Sequence, residues 1–190
     1  MRLGVLASGR GSNLRNLVER GYEVVAVATN RPSCGAADYA RARGIELGEF
    51  SQKAFGSPEE RDLSMRDWLA ARSIELVVNA GYDRILSATF VRAFAGRIVN
   101  VHPSLLPAFG GGMDAVEQAL AHGVKVTGCT VHLVTEEVDA GPILLQAAVA
   151  VEPADSVESL RARIQAEEHR LLPLAVDLLR ENAAARAAQR

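Results

Sequence analysis

Cysteine is scarce in this 190-residue chain: Cys34 and Cys129 lie far apart, in no CxxC or Cys/His spacing. That argues against a disulfide framework or a structural zinc site and fits a reducing cytoplasm. HExxH and paired metal-ligand spacings are missing too, so no catalytic metal is expected. Long hydrophobic runs are lacking. The N-terminal run, Leu3 to Ala7, is broken by Ser8 and Gly9, too short for the apolar region of a signal peptide and far too short for a membrane span. Charge of one sign is lacking as well: the formal net charge is −2, which gives the chain no overall pull towards nucleic acid or anionic membrane. Small molecules are the expected partners. GxxxxGK[ST] occurs nowhere, which excludes a nucleoside-triphosphate P-loop. No GxSxG elbow surrounds Ser104, so nucleophilic serine catalysis gains no support.

Apolar residues make up 48% of the chain and charged residues 23%, ordinary globular composition. With no internal repeat and no linker, a single domain over 1–190 is expected. Continuous apolar runs at 3–7 and 24–28 read as strands covered on both faces, 74–80 as another covered strand and 97–102 as one more strand, and a short strand is expected near 45–47. Helical spacing separates them: Leu14, Leu17 and Val18 after an N-cap at Ser12 or Asn13, then 36–43 stopping at Gly44, 59–72, and a short helix near 90–94 capped by Ser87. Strand–helix alternation of this kind predicts an α/β domain with a mostly parallel, twisted sheet and helices on both faces. A helix at 114–121 and two longer strands, 124–134 and 142–152, follow, the latter expected as an antiparallel pair. A helix from 157 to about 180, kinked at Pro173, closes the pattern, with a frayed polar tail after Asn182.

Two places carry chemistry. Ser8-Gly9-Arg10-Gly11-Ser12-Asn13 joins the first strand to the first helix. Glycines there let backbone N–H groups approach a ligand, and the helix start favours an anion. A turn that merely needs small residues is the plainer reading. Dinucleotide binding is weaker, because the third glycine of GxGxxG is replaced by Leu14 and the second strand ends at Asn30, where an acidic ribose ligand is expected. A monophosphate remains the natural guest.

The second place is Asn100-Val101-His102-Pro103-Ser104-Leu105-Leu106-Pro107, at the C-terminal end of a predicted parallel strand, the edge where open α/β sheets bind ligands. Alternation puts Asn100 and His102 on one face, and an amide beside an imidazole can hold a developing oxyanion. A buried structural histidine is an equal reading of His102 alone. Asp139, in the loop between the last two strands, adds a carboxylate of the kind that stabilises an imidazolium. Glu136 and Glu137 read as a solvated turn and His122 as exposed. His132 fits either the ligand edge or a structural role.

On these residues the chain resembles the glycinamide ribonucleotide formyltransferase family over nearly its whole length. The stretches that carry the resemblance are LGVLASGRGSNL at the start, AGYDRIL at 80–86, RIVNVHPSLLP at 97–107, TGCTVHLV at 127–134, VDAGPILLQ at 138–146 and AEEH at 166–169. The resemblance implies a Rossmann-like formyltransferase fold and transfer of a formyl group from 10-formyltetrahydrofolate, as co-substrate, to 5'-phosphoribosylglycinamide. Gly11, Ser12 and Asn13 would hold the substrate phosphate and Glu168 its ribose. Asp83, Arg84, Ile85 and Leu86 would border the folate with Asn100 and Asp139, and Asn100, His102 and Asp139 would be catalytic. The phosphate site would fall in the N-terminal half, the folate and catalytic sites in the C-terminal half. The implied enzyme is cytoplasmic, a monomer or weak homodimer, without nucleic acid, membrane or metal. NVHPSLLP with the later Asp loop is shared with methionyl-tRNA formyltransferase, which carries a further C-terminal domain, and with formyltetrahydrofolate deformylase, which carries a further N-terminal one. An inactive folate- or phosphate-binding module is the alternative of a different class. Three places depart from the family: Asp83 stands where methionine is frequent, Pro58 where an arginine lies near the folate, so that Arg61 or another residue would substitute or the contact would be absent, and 109–114 carries an extra glycine-like position.

Overall fold

The computed structural model describes residues 1–188, with side chains through residue 185. Its strands are β1 (Leu3–Leu6), β2 (Val24–Thr29), β3 (Glu46–Glu49), β4 (Leu76–Asn79), β5 (Ile98–His102), β6 (Val126–Leu133) and β7 (Ile143–Ala150). The helices are α1 (Ser12–Glu19), α2 (Gly35–Ala42), α3 (Pro58–Ala70), α4 (Ala88–Ala93), α5 (Ala115–Ala121) and α6 (Val157–Ala188), with a single 3-10 turn at Gln52–Ala54. The seven strands form one sheet in the order β3-β2-β1-β4-β5-β6-β7. Strands β1 to β5 pair in parallel, and β6 pairs antiparallel with β7. This is the α/β architecture, with its C-terminal antiparallel pair, that the strand–helix alternation predicts.

By contacts the chain separates into two compact units: 1–100 with 133–141, and 101–132 with 142–190. In the first, β1 is buried along its whole length, as a central strand covered on both faces must be. Leu6, Met65, Leu69, Val77, Phe90 and Ile98 lie in its core, each of the large ones contributing roughly 1.5–3 kcal/mol by leaving water. In the second, Leu160, Ile164, Leu172 and Val176 give α6 its buried stripe at helical spacing, and α6 packs on β7 and α5.

Three local expectations change. The N-cap position of α1 is Gly11, in the left-handed conformation (φ 76°), so Ser12 and Asn13 fall inside the helix rather than at its cap. A Cβ on Gly11 would also meet the Ala36 Cα at 2.8 Å, so both conformation and space demand glycine. Helix α3 begins one residue earlier than expected, with Pro58 in its first turn and the Ser57 hydroxyl accepting from the Glu60 N–H. Helix α6 continues through Pro173 to Ala188 rather than fraying after Asn182. The alanines and arginines of that tail are strong helix formers, and their propensity extends the preceding turns.

Candidate active site

The exits of the parallel strands position the candidate residues. After β1, the segment Ser8–Asn13 turns into α1, and the N-terminus of α2 seats against it, the Ala36 N–H donating to the Gly9 carbonyl at 3.0 Å. The N-cap residue of α1, Gly11, supplies no side-chain cap, and a helix start of this kind is favourable to a phosphate.

After β4, the backbone turns through Gly81 (φ 81°). The Asn79 side chain accepts from the Tyr82 N–H at 3.2 Å and fixes this turn. Asn79 pairs in register with Leu6 on one side and Asn100 on the other. Asn100 is half-buried at the end of β5.

The segment Asp83–Leu86 is held from behind. The Asp83 N–H donates to Ser8 Oγ at 3.0 Å, and the Asp83 carboxylate accepts from Asn30 Nδ2 at 2.7 Å. The carboxylate also pairs with Arg31 and, at 3.7 Å, with Arg84. Burial works against its charge, but the Asn30 amide, Arg31 and Ser8 outweigh that and hold the carboxyl below its ordinary value. At the other end, Asp62 Oδ2 accepts from the Ser87 N–H at 2.6 Å, and Arg61 reaches the Ile85 carbonyl at 3.5 Å.

Arg61 and Asp62 are only 2% and 0% exposed, and they pair at 2.7 Å. Arg61 therefore cannot take the place of an exposed arginine at a folate, which leaves the other two alternatives, another residue or no such contact. Its guanidinium is consumed by Asp62, Gln52 and Ile85. Among the described residues, the Arg84 N–H and the Leu86 N–H and C=O have no protein partner, leaving donors and an acceptor for a flat heterocycle. The Ile85 side chain, 72% exposed, adds apolar surface beside them. Tyr82, just before this segment, is buried, and desolvation pushes its phenol up to about 12.

In the second unit, His102 is buried, and its Nε2 lies 3.0 Å from the Phe109 carbonyl. A carbonyl only accepts, so Nε2 carries a proton, and protonation at Nδ1 sets the ring's charge. The exit loop behind it is fixed by uncharged groups. Thr130 Oγ1 donates to the Ser104 carbonyl at 2.7 Å while accepting from the Leu106 N–H at 3.0 Å. Gln146 Nε2 donates to Thr130 Oγ1 and to the Leu106 carbonyl, and Ser104 Oγ donates to the Ala108 carbonyl. The Leu106–Pro107 bond is cis.

Glu168 is half-buried on α6. Desolvation, and then the charges of Glu168 and Glu167, push the Cys129 thiol up to about 12. His132 is buried on β6, opposite Ile143, and His122 is exposed as expected. Asp139 belongs to the first unit, as does Asn100. It is half-buried and adopts a left-handed conformation (φ 53°) that few residues other than glycine accept, the kind of backbone strain concentrated at functional sites. The first unit thus gathers Gly11, Ser12, Asn13, Asp83 to Leu86, Asn100 and Asp139, while the second holds His102 and Glu168.

Sequence reasoning missed Asn79, Asp62, Thr130 and Gln146. For Asn79, a polar residue ending an otherwise apolar strand was the available signal. Among the described residues, no group of three or more His, Cys, Asp or Glu could hold a metal, and no helix is long and apolar enough to cross a membrane.

Residues 1–176 match the formyl transferase family. The chain is 44% identical over 183 residues to phosphoribosylglycinamide formyltransferase of Mycobacterium tuberculosis, covering 94% of this chain and 84% of that protein. It is 42% identical over 188 residues to the trifunctional purine biosynthetic protein adenosine-3 of Bos taurus, covering 96% of this chain but only 18% of that much longer protein. Among solved structures, glycinamide ribonucleotide transformylase 1 from Symbiobacterium toebii superposes with a TM-score of 0.92 at 45% identity, over 96% of this chain and 88% of the other. Phosphoribosylglycinamide formyltransferase from Bacillus halodurans gives 0.90 at 38%, over 94% and 95%. Matched by the formyl transferase family over residues 1–176 and by relatives along nearly all its length, the chain belongs to the formyl transferase family, among the phosphoribosylglycinamide formyltransferases.

Proposed function

We propose that residues 1–190 act as one cytoplasmic formyltransferase domain, a monomer or weak homodimer without nucleic acid or metal. It moves the formyl group of 10-formyltetrahydrofolate to the amine of 5'-phosphoribosylglycinamide in purine synthesis. The observation that carries this reading is the 44% identity to a phosphoribosylglycinamide formyltransferase across 94% of the chain. The folate, when bound, supplies the formyl group, and this chain's residues do the rest. Gly11, Ser12 and Asn13 bind the substrate phosphate through the first turn of α1, and Glu168 binds the ribose. Backbone groups of Arg84 and Leu86 hold the pteridine, with Asp83 and Ile85 in the same segment.

Amine attack on the formyl carbon puts negative charge on the formyl oxygen and positive charge on the nitrogen. Asn100 Nδ2 and a cationic His102 donate hydrogen bonds to that oxygen, each such donor being worth about 3–4 kcal/mol in the transition state. Asp139 accepts the amine's proton, through water, and passes it towards the leaving nitrogen. Neither step needs a covalent bond to the enzyme, so the gain beyond these donors comes from holding both substrates together.

Tetrahydrofolate release, followed spectroscopically with and without phosphoribosylglycinamide, tests the assignment. Release that depends on the acceptor is expected, and His102→Ala and Asn100→Ala should each lower kcat by about 10²–10³-fold. Equal release without acceptor would make the enzyme a hydrolase. Unchanged turnover in both variants would remove these residues from the mechanism.

A further inference from the structure

The carboxylate of Asp83 closes a three-membered ring of hydrogen bonds. Ser8 Oγ donates to Asn30 Oδ1 at 2.5 Å, Asn30 Nδ2 donates to Asp83 Oδ1 at 2.7 Å, and the Asp83 N–H donates back to Ser8 Oγ at 3.0 Å. The three residues stand just past the ends of β1, β2 and β4, which lie side by side in the order β2-β1-β4 and run parallel. A further backbone bond, from the Ser8 N–H to the Gly81 carbonyl at 3.0 Å, fastens the same two exits. Ser8 and Asn30 are buried, and the Asp83 side chain is only 14% exposed. Ser8 opens the loop that leads to Gly11, Ser12 and Asn13, while Asp83 opens the segment to Leu86. Every member has a fixed polarity: Asn30 must present its oxygen to Ser8 and its amide nitrogen to Asp83, so neither neighbour can be exchanged without turning the amide over. Arg31, adjacent to Asn30, adds its charge from the open side.

We propose that Asp83 is a positioning residue: through this ring it sets the phosphate loop and the 83–86 segment as one piece, so that affinity for the phosphate-bearing substrate and for the folate change together. This rests on the proposed function for the identity of the two ligands, but not for the ring itself. A residue that simply touched the folate would move the folate's KM alone. A ring member moves both, because the loop it anchors on one side begins at Ser8.

The experiment compares wild type, Asp83→Ala, Asn30→Ala, the double variant and the conservative Asp83→Asn, which keeps an oxygen able to accept from Asn30. Asp83→Ala and Asn30→Ala should each raise both KM values about tenfold, the scale of one charge-assisted hydrogen bond. Changes in kcat should stay within about threefold, the double variant should be no worse than either single one, and Asp83→Asn should recover most of the loss. A rise in the folate KM only, or effects that multiply in the double variant, would overturn the proposal. Amide hydrogen exchange reads the same coupling without turnover. Asp83→Ala should speed exchange about tenfold in peptides covering 8–14 as well as 80–87, and unchanged exchange at 8–14 would overturn it. If wild type shows no acceptor-dependent release, the functional assignment fails while exchange still decides the ring; Asn30→Ala serves in both measurements should Asp83→Ala not fold.

Discussion

The loops that leave β4 and β5 are both fixed from behind by side chains that sequence pattern alone does not single out, but by opposite means. The β4 exit is held by charge: Asp83 with Asn30, Arg31 and Arg84 at one end, and the buried pair Arg61–Asp62 at the other. The β5 exit is held by neutral groups, Thr130, Gln146 and Ser104, each placed within hydrogen-bond distance of a backbone carbonyl or N–H. Charges reach farther and bind harder where water is excluded, but a broken pair leaves an uncompensated ion. A neutral network loses less when one member goes, and it does not respond to pH. The segment proposed to hold the folate is thus the one whose support responds to protonation, and the one proposed to carry His102 is the one whose support does not.

The largest break of this contrast should come from Asp62→Ala. It removes the partner of a guanidinium that is 2% exposed and leaves the Ser87 N–H without its acceptor. Losing one half of such a pair costs about 3–5 kcal/mol, read as a lower urea midpoint at unchanged slope. A shift under about 1 kcal/mol would mean that water reaches Arg61 after all. Thr130→Val, nearly the same shape, should cost less, about 1–3 kcal/mol, because it strands the Ser104 carbonyl and the Leu106 N–H but no charge. Its loss should be the same at pH 5 and pH 8. If Thr130→Val proves as damaging as Asp62→Ala, the division into charged and neutral supports has no energetic meaning.

Much of this arrangement was legible before any coordinates. Continuous apolar runs located β1 and β2, and largely apolar ones β4 and β5, to within a few residues, because a strand covered on both faces has little choice of residue. Period-two alternation placed Asn100 and His102 on one strand near its C-terminal end. What stayed hidden were partners distant in sequence: Ser8 and Asn30, Asn30 and Asp83, Thr130 and Gln146 meet only once the strands are ordered side by side. Helix α3 misled for a different reason. A helical pattern assigns charges to the outside and apolar residues to the inside; yet Arg61 and Asp62 are the fully buried pair, while Leu63 is only half-buried. Nothing in local periodicity distinguishes a charge turned inward to support a loop from one turned to solvent.

The smallest expected effect is the sharpest test of the charged support, since it asks for a sign rather than a size. The carboxyl of Asp83 titrates below its ordinary value in the folded chain: burial opposes the charge, and the Asn30 amide, Arg31 and Ser8 more than offset it. An acid whose folded value is depressed contributes stability that is fully present above its unfolded value, roughly pH 4, and lost as pH falls through the folded one. Unfolding curves from pH 7 down to pH 3 should therefore converge for wild type and Asp83→Asn, the gap between them closing below about pH 4. Thr130→Val should keep a constant offset from wild type over the same range. A wild-type advantage over Asp83→Asn that persisted unchanged at pH 3 would show that the carboxylate's charge is not what holds the β4 exit, and that the ring stands on its neutral hydrogen bonds alone.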